Sequence, residues 1–542
     1  MPRCRRRDPT PSTRRPRHPV RLRSDSAPRT CCCRPKPACP PRRPRPSARA
    51  TEAPTMLWIA VHCHRLALDR VLRAHVDGDD GPLAICDRLQ VLQSNPAAEA
   101  LGVRPGMRRA TALALAASLR IVEHDPVEDA HALAQVAGWL LQFTPGVALQ
   151  PPDGVLLEVG ASLRLFGGRE RIETRIRDGL AALGFGLRLG AAPTATAAWM
   201  LARWQDGMRI EHESLLAAGL GPLPVALLEA AAPHADALAA IGVRRFADLA
   251  RLPRAGLARR WGPALLDQVD AALGRRAEPQ RWFEAPASFT LSLELLAQIE
   301  HAEALLFASH RMLLQLAGWL AARQSAAREA VLIGEHDSGR HACAPTRVVL
   351  RLAQPSRDPA RWVGVLRERL AVLELPAPVH TLRLECLHTV RLPGTHGELF
   401  PAAGTDAEGL GRLVERLQAR LGRDQVQRLM LAADHRPEAA YRVEPVEDRA
   451  VRGPEVPLPG LPRPLWLLPE PLPLSERDQR PWWRGPLTLL AGPERIETGW
   501  WDDGLVQRDY FIAEDESAGW VWIFRTRSRE DDAGWYLQGM FG

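Results

Sequence analysis

Residues 57–67 read Leu-Trp-Ile-Ala-Val-His-Cys-His-Arg-Leu-Ala, an apolar run that ends in two histidines one residue apart. Such a run predicts a buried strand that leads into the start of a helix. Because alternate residues of a strand point to the same side, His62 and His64 are expected to share a face. A metal site built on His62, Cys63 and His64 is one interpretation, and ordinary, partly exposed histidines are the other. No third or fourth ligand is visible nearby in the sequence, which favours ordinary histidines.

Strands and helices alternate along the next part of the chain. Short apolar runs predict strands at 81–87, 154–159 and 187–193, and amphipathic runs predict helices at 128–143, 169–183 and 194–204. Strands interleaved with helices favour an α/β domain. An Ala/Leu-rich helical stretch follows, and after it the pattern predicts a unit with the order β-α-β-β-α-β.

Three segments carry a resemblance to the Y-family (UmuC/DinB-type) translesion DNA polymerases. Residues 57–67 are similar to the first palm strand of that family, which normally reads apolar-apolar-Asp-x-Asp and continues to an aromatic pair. Residues 102–107 are similar to the end of its finger segment, and residues 241–249 to part of its thumb. The resemblance implies an α/β multidomain fold with a polymerase-like palm, fingers, helical thumb and α+β little finger. A small Trp-rich β module is expected at the C-terminal end.

The expected domain boundaries follow from these segments and from changes in composition. They are a disordered Arg/Pro-rich extension at 1–55, palm and fingers at 56–205, the helical thumb at 206–285, the little finger at 286–395, a clamp-binding loop and helix at 396–453, a Pro-rich linker at 454–485 and a Trp-rich partner-binding module at 486–542.

The extension carries most of the positive charge of the chain. Residues 1–55 contain 16 Lys and Arg against 3 Asp and Glu, a net charge of +13, so the other 487 residues sum to −5 because the whole chain carries +8. DNA affinity of the remainder must therefore come from local arginine patches. The extension cannot bury a core. It is interpreted as an overextended reading frame with Met56 as the true start, as a basic nucleic-acid arm, or as a targeting peptide.

The resemblance implies a degenerate polymerase site. His62 and His64 replace the two acids of the first strand, and in the second acidic motif Asp153 is kept while Gly154 replaces the catalytic glutamate. Nucleotidyl transfer needs clustered carboxylates that hold Mg²⁺, for which neutral imidazoles are poor ligands. We therefore expect no catalytic residue, no metal and no cofactor, with Asp153 as an ordinary turn residue. An active translesion polymerase with displaced metal ligands is the alternative.

The contacts to an incoming nucleotide are also expected to be lost. The resemblance aligns Pro96 and Glu99 with the tyrosine and arginine that hold the triphosphate in the family. An acid in place of a cation repels a triphosphate, and no arginine fork remains at that place.

Residues 396–400 read His-Gly-Glu-Leu-Phe, which is similar to the sliding-clamp-binding peptide Gln-x-x-Leu-Phe. His396 stands in place of the preferred glutamine, and Leu399 and Phe400 would insert into an apolar pocket of the clamp. The alternative is a loop that packs Leu399 and Phe400 on its own domain.

Eight of the sixteen tryptophans lie in residues 466–542, where alternating residues predict three antiparallel strands. These tryptophans are expected to form the core of a small β module, to anchor a partner protein, or both, because tryptophan is enriched at interface hot spots. The candidate partner-binding residues are Trp500, Trp501, Trp520, Trp522 and Trp535.

Motifs at 433–438, 492–501, 508–510 and 534–541 are similar to those of the ImuB-like branch of the Y family. That resemblance implies a non-catalytic adaptor in DNA-damage-induced translesion synthesis. Its implied partners are the sliding clamp, primer-template DNA, ImuA or another RecA-like protein, and an error-prone DnaE-type polymerase. No run of about 20 apolar residues suggests a membrane span, so a cytoplasmic, nucleoid-associated protein is expected. A protein-binding scaffold that does not contact DNA is the remaining alternative.

Overall fold

The structure is a computed structural model that describes residues 56–74, 81–336, 343–392, 405–446, 462–502, 504–516, 519–527 and 534–541. The extension at 1–55 and the clamp-like motif with His396, Leu399 and Phe400 lie outside the described residues.

The palm and fingers alternate strands with helices, as the sequence predicts. Their elements are β1 (Trp58–His62), α1 (Leu66–Leu72), β2 (Leu83–Cys86), β3 (Val91–Ser94), α2 (Pro96–Ala100), α3 (Arg109–Leu115), β4 (Arg120–Glu123), α4 (Pro126–Leu140), β5 (Val147–Gln150), β6 (Gly154–Glu158), α5 (Leu163–Phe166), α6 (Arg169–Ala182), β7 (Arg188–Ala192), α7 (Ala195–Trp204) and β8 (Met208–Arg209).

The palm sheet has the order β5-β6-β1-β7-β8, with β1 in the centre and antiparallel to both of its neighbours. Trp58 and Ala60 face a core that α7 and the thumb complete, whereas Ile59 and Val61 face a second core under α4 and α6. Burial on both faces explains why the run before His62 is apolar at every position. This confirms the prediction of a buried strand.

The fingers are built on a three-stranded sheet of order β3-β2-β4. Asn95 caps α2 by accepting a hydrogen bond from the Ala98 amide at 2.9 Å, and its side chain also bonds the backbone of β2 at Leu83. Gly102 and Gly106 have φ of +91° and +84°, left-handed conformations that glycine adopts readily, and they form the tight turns at the end of the finger segment.

The thumb consists of short helices that share a core with α7 of the palm. They are α8 (Leu216–Leu220), α9 (Ala235–Ala240), α10 (Phe246–Ala250), α11 (Arg254–Trp261) and α12 (Pro263–Ala272).

The little finger has the predicted order β-α-β-β-α-β. Its elements are β9 (Phe289–Ile299), α13 (Leu305–Ala322), β10 (Ser325–His336), β11 (Thr346–Ser356), α14 (Pro359–Leu370), β12 (Val379–Cys386) and a short β13 (Val390–Arg391). The main strands form an antiparallel sheet of order β11-β10-β12-β9, and both helices pack with it around one core.

After the little finger, α15 (Thr405–Leu421) leads to a hairpin of β14 (Gln427–Leu431) and β15 (Tyr441–Pro445). One side of α15 is anchored on the little finger, because buried Glu415 pairs with Arg361 and Glu368 receives Arg416 and Arg420.

The C-terminal module is a six-stranded antiparallel sheet of order β17-β16-β21-β20-β19-β18. Its strands are β16 (Trp466–Arg477), β17 (Arg480–Trp482), β18 (Thr488–Thr498), β19 (Val506–Asp515), β20 (Gly519–Thr526) and β21 (Trp535–Met540). Both faces carry apolar clusters, one around Ile523 and Trp535 and the other around Tyr510 and Trp522.

The predicted linker at 454–485 is wrong in its second part, because β16 and β17 belong to the sheet of the module. Three of the nine prolines at 454–481 that suggested a linker stand at 469, 471 and 473, which are alternate positions of β16. Successive N–H groups of a strand point to opposite sides, so all three prolines withhold a donor from the same side. The pairing of β16 with β21 is interrupted between Leu467 and Leu472 and resumes at Leu472–Leu474, while β17 pairs with the other side only from Ser475 onward, so the prolines lie where that other side is open, as in an edge strand.

Candidate functional site

The polymerase-like site lies at the ends of the central palm strands. His62 is the last residue of β1 and stands opposite Gly154 of β6 on one side and Arg188 of β7 on the other. The turn before β6 is tied to β1 by a backbone hydrogen bond of 2.8 Å from the Cys63 amide to the Asp153 carbonyl. The sheet therefore brings His62, Asp153 and Gly154 together.

The retained carboxylate is bonded to one of the substituted histidines. His62 Nε2 donates to Asp153 Oδ2 at 3.2 Å, and the histidine is mostly buried. His64 lies beside this pair, with its ring centroid 6.0 Å from that of His62. The arrangement is a His–Asp pair flanked by a second imidazole.

Half-buried His64 is held in the neutral form. Burial lowers the pKa of its imidazole below the ordinary value of 6.5, and the positive charge of Arg188 lowers it further. Burial also raises the pKa of the Cys63 thiol well above its usual range, which keeps this residue a neutral thiol and not a thiolate ligand.

Trp199 of α7 fills the space in front of Gly154, a contact that the sequence analysis missed. Its indole stands edge-on to the His62 ring, with centroids 5.3 Å apart and an interplanar angle of 82°. A Cβ placed on Gly154 would lie 2.4 Å from Cη2 and 2.6 Å from Cζ3 of Trp199. A side chain at position 154 can therefore be accommodated only if its neighbours shift. The available signal was a single large aromatic residue within the alanine-rich start of the helix after the third palm strand.

Three ring nitrogens at this site are buried without a hydrogen-bond partner among the described residues: Nδ1 of His62, Nδ1 of His64 and Nε1 of Trp199. Across the described ranges, no group of three or more His, Cys, Asp or Glu side chains is arranged to hold a metal ion. The nearby carboxylate of Asp69 is engaged elsewhere, because it accepts from the Gly186 amide at 2.7 Å and from Arg65 at 3.2 Å.

The residues aligned with the triphosphate contacts lie on the fingers. Pro96 opens α2, and Glu99 is on the same helix with its carboxylate 3.9 Å from the Arg104 guanidinium. The Glu99 side chain is about half exposed and so presents a carboxylate to the solvent.

The tryptophans of the C-terminal module divide into exposed and buried sets. Trp500, Trp501 and Trp520 are 79%, 55% and 53% exposed, whereas Trp522 and Trp535 are buried. Direct partner contact by Trp522 and Trp535 was therefore a wrong prediction for the folded module, because both rings form its core. Trp466 at the start of β16 is 68% exposed and was missed, since it was assigned to the linker.

A polar cluster connects the segment at 434–438 to the module. Arg436 bonds Asp434, Asp502 at 2.6 Å and the Gly504 carbonyl, which places its guanidinium against the loop that carries Trp500 and Trp501. Glu438 accepts from Arg508 and from Gln538, each at 3.0 Å. This arrangement gives a structural role to residues 433–438, which the sequence analysis singled out only by resemblance.

Residues 63–203 match the impB/mucB/samB family. The chain is also 30% identical over 466 residues to Protein ImuB of two Caulobacter vibrioides strains, NA1000 / CB15N and ATCC 19089 / CIP 103742 / CB 15, in matches that span 82% of this chain and 100% of each relative. This chain belongs to the ImuB family. Membership of this family supports a role in DNA-damage mutagenesis.

Solved structures similar to this ImuB-family chain include the post-insertion binary complex of Dbh DNA polymerase, at 15% identity and a TM-score of 0.35, and DinB from Sulfolobus solfataricus, at 16% and 0.33. Each match spans 62% of this chain and 100% of the solved chain. Within the described residues of the ImuB-family chain, no helix combines the length and the hydropathy needed to cross a membrane.

Proposed function

We propose that this chain is a non-catalytic, polymerase-like adaptor in translesion synthesis. It would bridge the sliding clamp, damaged primer-template DNA, a RecA-like partner such as ImuA, and an error-prone DnaE-type polymerase. We place it in the cytoplasm, associated with the nucleoid. The observation that carries the proposal is the palm site, where two imidazoles and a glycine stand at positions that the Y family fills with carboxylates, and the Trp199 indole fills the space in front of that glycine.

The chemistry of the palm site supports a loss of catalysis. Two-metal nucleotidyl transfer requires several carboxylates that neutralise both ions and hold them about 3.5–4 Å apart. Here Asp153 is the one acid at these positions, and it is bonded to His62. The residues present do not fit a pair of Mg²⁺ ions, which prefer oxygen ligands over neutral imidazole.

Exposed apolar side chains support the adaptor role. Trp500 and Trp501 project together from one loop, with ring centroids 5.5 Å apart. The outer side of α15 exposes a row of leucines at 410, 413, 417 and 421. Exposed apolar groups that cluster in this way are typical of protein–protein contact sites.

Primer extension with the purified full-length chain tests the proposal. We expect no nucleotide incorporation with Mg²⁺ or Mn²⁺ on undamaged or lesion-bearing templates, from protein shown to be folded by circular dichroism. Incorporation that is lost in Asp153→Ala would contradict the proposal and favour an active polymerase with displaced ligands.

A mobility shift with primer-template DNA, and its salt dependence, separates the DNA-docking adaptor from a scaffold that does not contact DNA.

A further inference from the structure

At the palm site, a side chain fills the space at the position of the missing glutamate, and the site is also short of carboxylates. Trp199 is 5% exposed, and its indole occupies the volume that a side chain at position 154 would enter. Any residue other than glycine at 154 would bring its Cβ to within 2.6 Å of two indole carbons, a separation that real Cβ atoms do not tolerate. The indole also packs against the His62 ring, with the ring centroids 5.3 Å apart.

The backbone that carries Trp199 is held close to the sheet, because α7 packs against β7 at close range. A Cβ on Gly190 would lie 2.4 Å from both the Ala198 carbonyl oxygen and the Ala202 amide nitrogen, so the helix backbone rests directly on this glycine. The N-terminus of α7 is capped by Thr194, whose hydroxyl accepts from the Ala197 amide at 3.3 Å. The position from which the indole projects is therefore set by backbone packing and by the cap.

We infer that Trp199 excludes metal ions from the palm site by occupying its space, so that restoring the family's acids at positions 62, 64 and 154 is not enough to restore metal binding. The inference rests on the proposed non-catalytic function and extends it. Loss of the acids and insertion of the indole are two separate barriers, and only the first can be read from the sequence.

A double-mutant cycle tests the contact itself. Gly154→Ala should lower the thermal midpoint of the full-length chain by several degrees, and the loss should be clearly smaller in a Trp199→Ala background. Some loss should remain in both backgrounds, because the added Cβ also lies 2.8 Å from the Gln150 carbonyl oxygen. Trp204→Ala is the matched control, since Trp204 lies on the same helix and is 47% exposed. Equal losses in the Trp199→Ala and wild-type backgrounds would overturn the inference.

Metal binding tests the consequence, with Mn²⁺ as the probe and electron paramagnetic resonance as the readout. The variant with His62→Asp, His64→Asp and Gly154→Glu should bind Mn²⁺ at least ten-fold more weakly than the same variant with Trp199→Ala added. Equal affinity of these two variants would show that the indole is no barrier and would overturn the inference while leaving the proposed function intact. Primer extension by the wild-type chain would instead defeat the proposed function. If a carboxylate variant does not fold, the double-mutant cycle decides the question.

Discussion

At the scale of single residues, Asp153 shows why one retained acid does not make a metal site. Its carboxylate accepts a hydrogen bond from His62 Nε2 at 3.2 Å. A metal ion would have to compete with that bond and would gain one anionic ligand, whereas Mg²⁺ sites for phosphoryl chemistry gather several oxygen ligands. His62 therefore replaces one metal ligand of the family, and its hydrogen bond also engages the carboxylate that remains.

His64 leads to a prediction about pH. Its pKa is below 6.5 in the folded protein, chiefly because of burial, whereas the unfolded chain takes up the proton at about its ordinary value. Below that value the unfolded state binds more protons than the folded state, so the free energy of unfolding should decrease as the pH falls. Urea unfolding at several pH values should show a weaker dependence in His64→Gln. His131→Gln is the control, because its side chain is 63% exposed, and an identical change in both variants would contradict the assignment.

At the scale of elements, Trp139 connects the palm to the little finger. Its indole lies between α6 and α13, where a Cβ on Gly179 or Gly318 would come within 2.1 Å or 2.0 Å of a ring carbon. Each glycine thus forms a notch that receives the ring. A hydrogen bond of 2.5 Å from Gln315 of α13 to the Gln135 carbonyl of α4 supports the same contact.

Gly318→Ala should therefore destabilise the protein. A methyl group in this notch has no room, and overpacking of this kind costs about 1–3 kcal/mol. The free energy of unfolding, measured by urea denaturation, gives the value. Gly364→Ala on α14 is the matched control, because its Cβ would meet nothing within 4 Å and alanine favours a helix by about 1 kcal/mol over glycine. An unchanged free energy of unfolding in Gly318→Ala would mean that α13 can shift away from Trp139 at little cost.

The sequence was enough to predict elements that depend on the local pattern of apolar residues. It was not enough to predict features that depend on contacts between elements far apart in the chain. The strand before His62 and the β-α-β-β-α-β order follow from apolar periodicity alone. Trp520 and Trp522 have the same parity on β20, yet Trp520 is exposed while Trp522 stacks on Tyr510 with centroids 4.2 Å apart. Trp199 was missed for the same reason, since its contact with Gly154 exists only after α7 packs on the palm sheet.

At the scale of the whole molecule, the clamp-like motif predicts a tether that the described residues do not include. The double variant Leu399→Ala, Phe400→Ala should abolish binding to the sliding clamp in surface plasmon resonance, because it removes both apolar side chains that would enter the clamp pocket. Folding should be unaffected, as judged by circular dichroism. Undiminished clamp affinity would exclude this motif as the tether.

The exposed tryptophan pair predicts a second attachment point, at the far end of the chain from the palm. The loop that carries Trp500 and Trp501 is fixed by Arg436 and by Gly499, whose φ is +83° and whose Cβ would lie 2.1 Å from the Gly504 carbonyl oxygen. A preorganised loop can present both rings with little loss of conformational entropy on binding. Such a pair is suited to anchor a partner protein.

Replacing both rings tests this anchor. Trp500→Ala with Trp501→Ala should weaken binding to the RecA-like partner or to the DnaE-type polymerase at least ten-fold, since hot-spot tryptophans contribute about 2 kcal/mol or more each. The thermal midpoint of the module should change little, because both rings are exposed. Trp204→Ala on the palm controls for loss of an exposed tryptophan, and Trp522→Ala should instead unfold the module. Full affinity for both partners in the double variant would exclude this pair as the anchor and direct attention to Trp466 and Trp520, the other exposed tryptophans of the described part of the module, at the opposite end of its sheet.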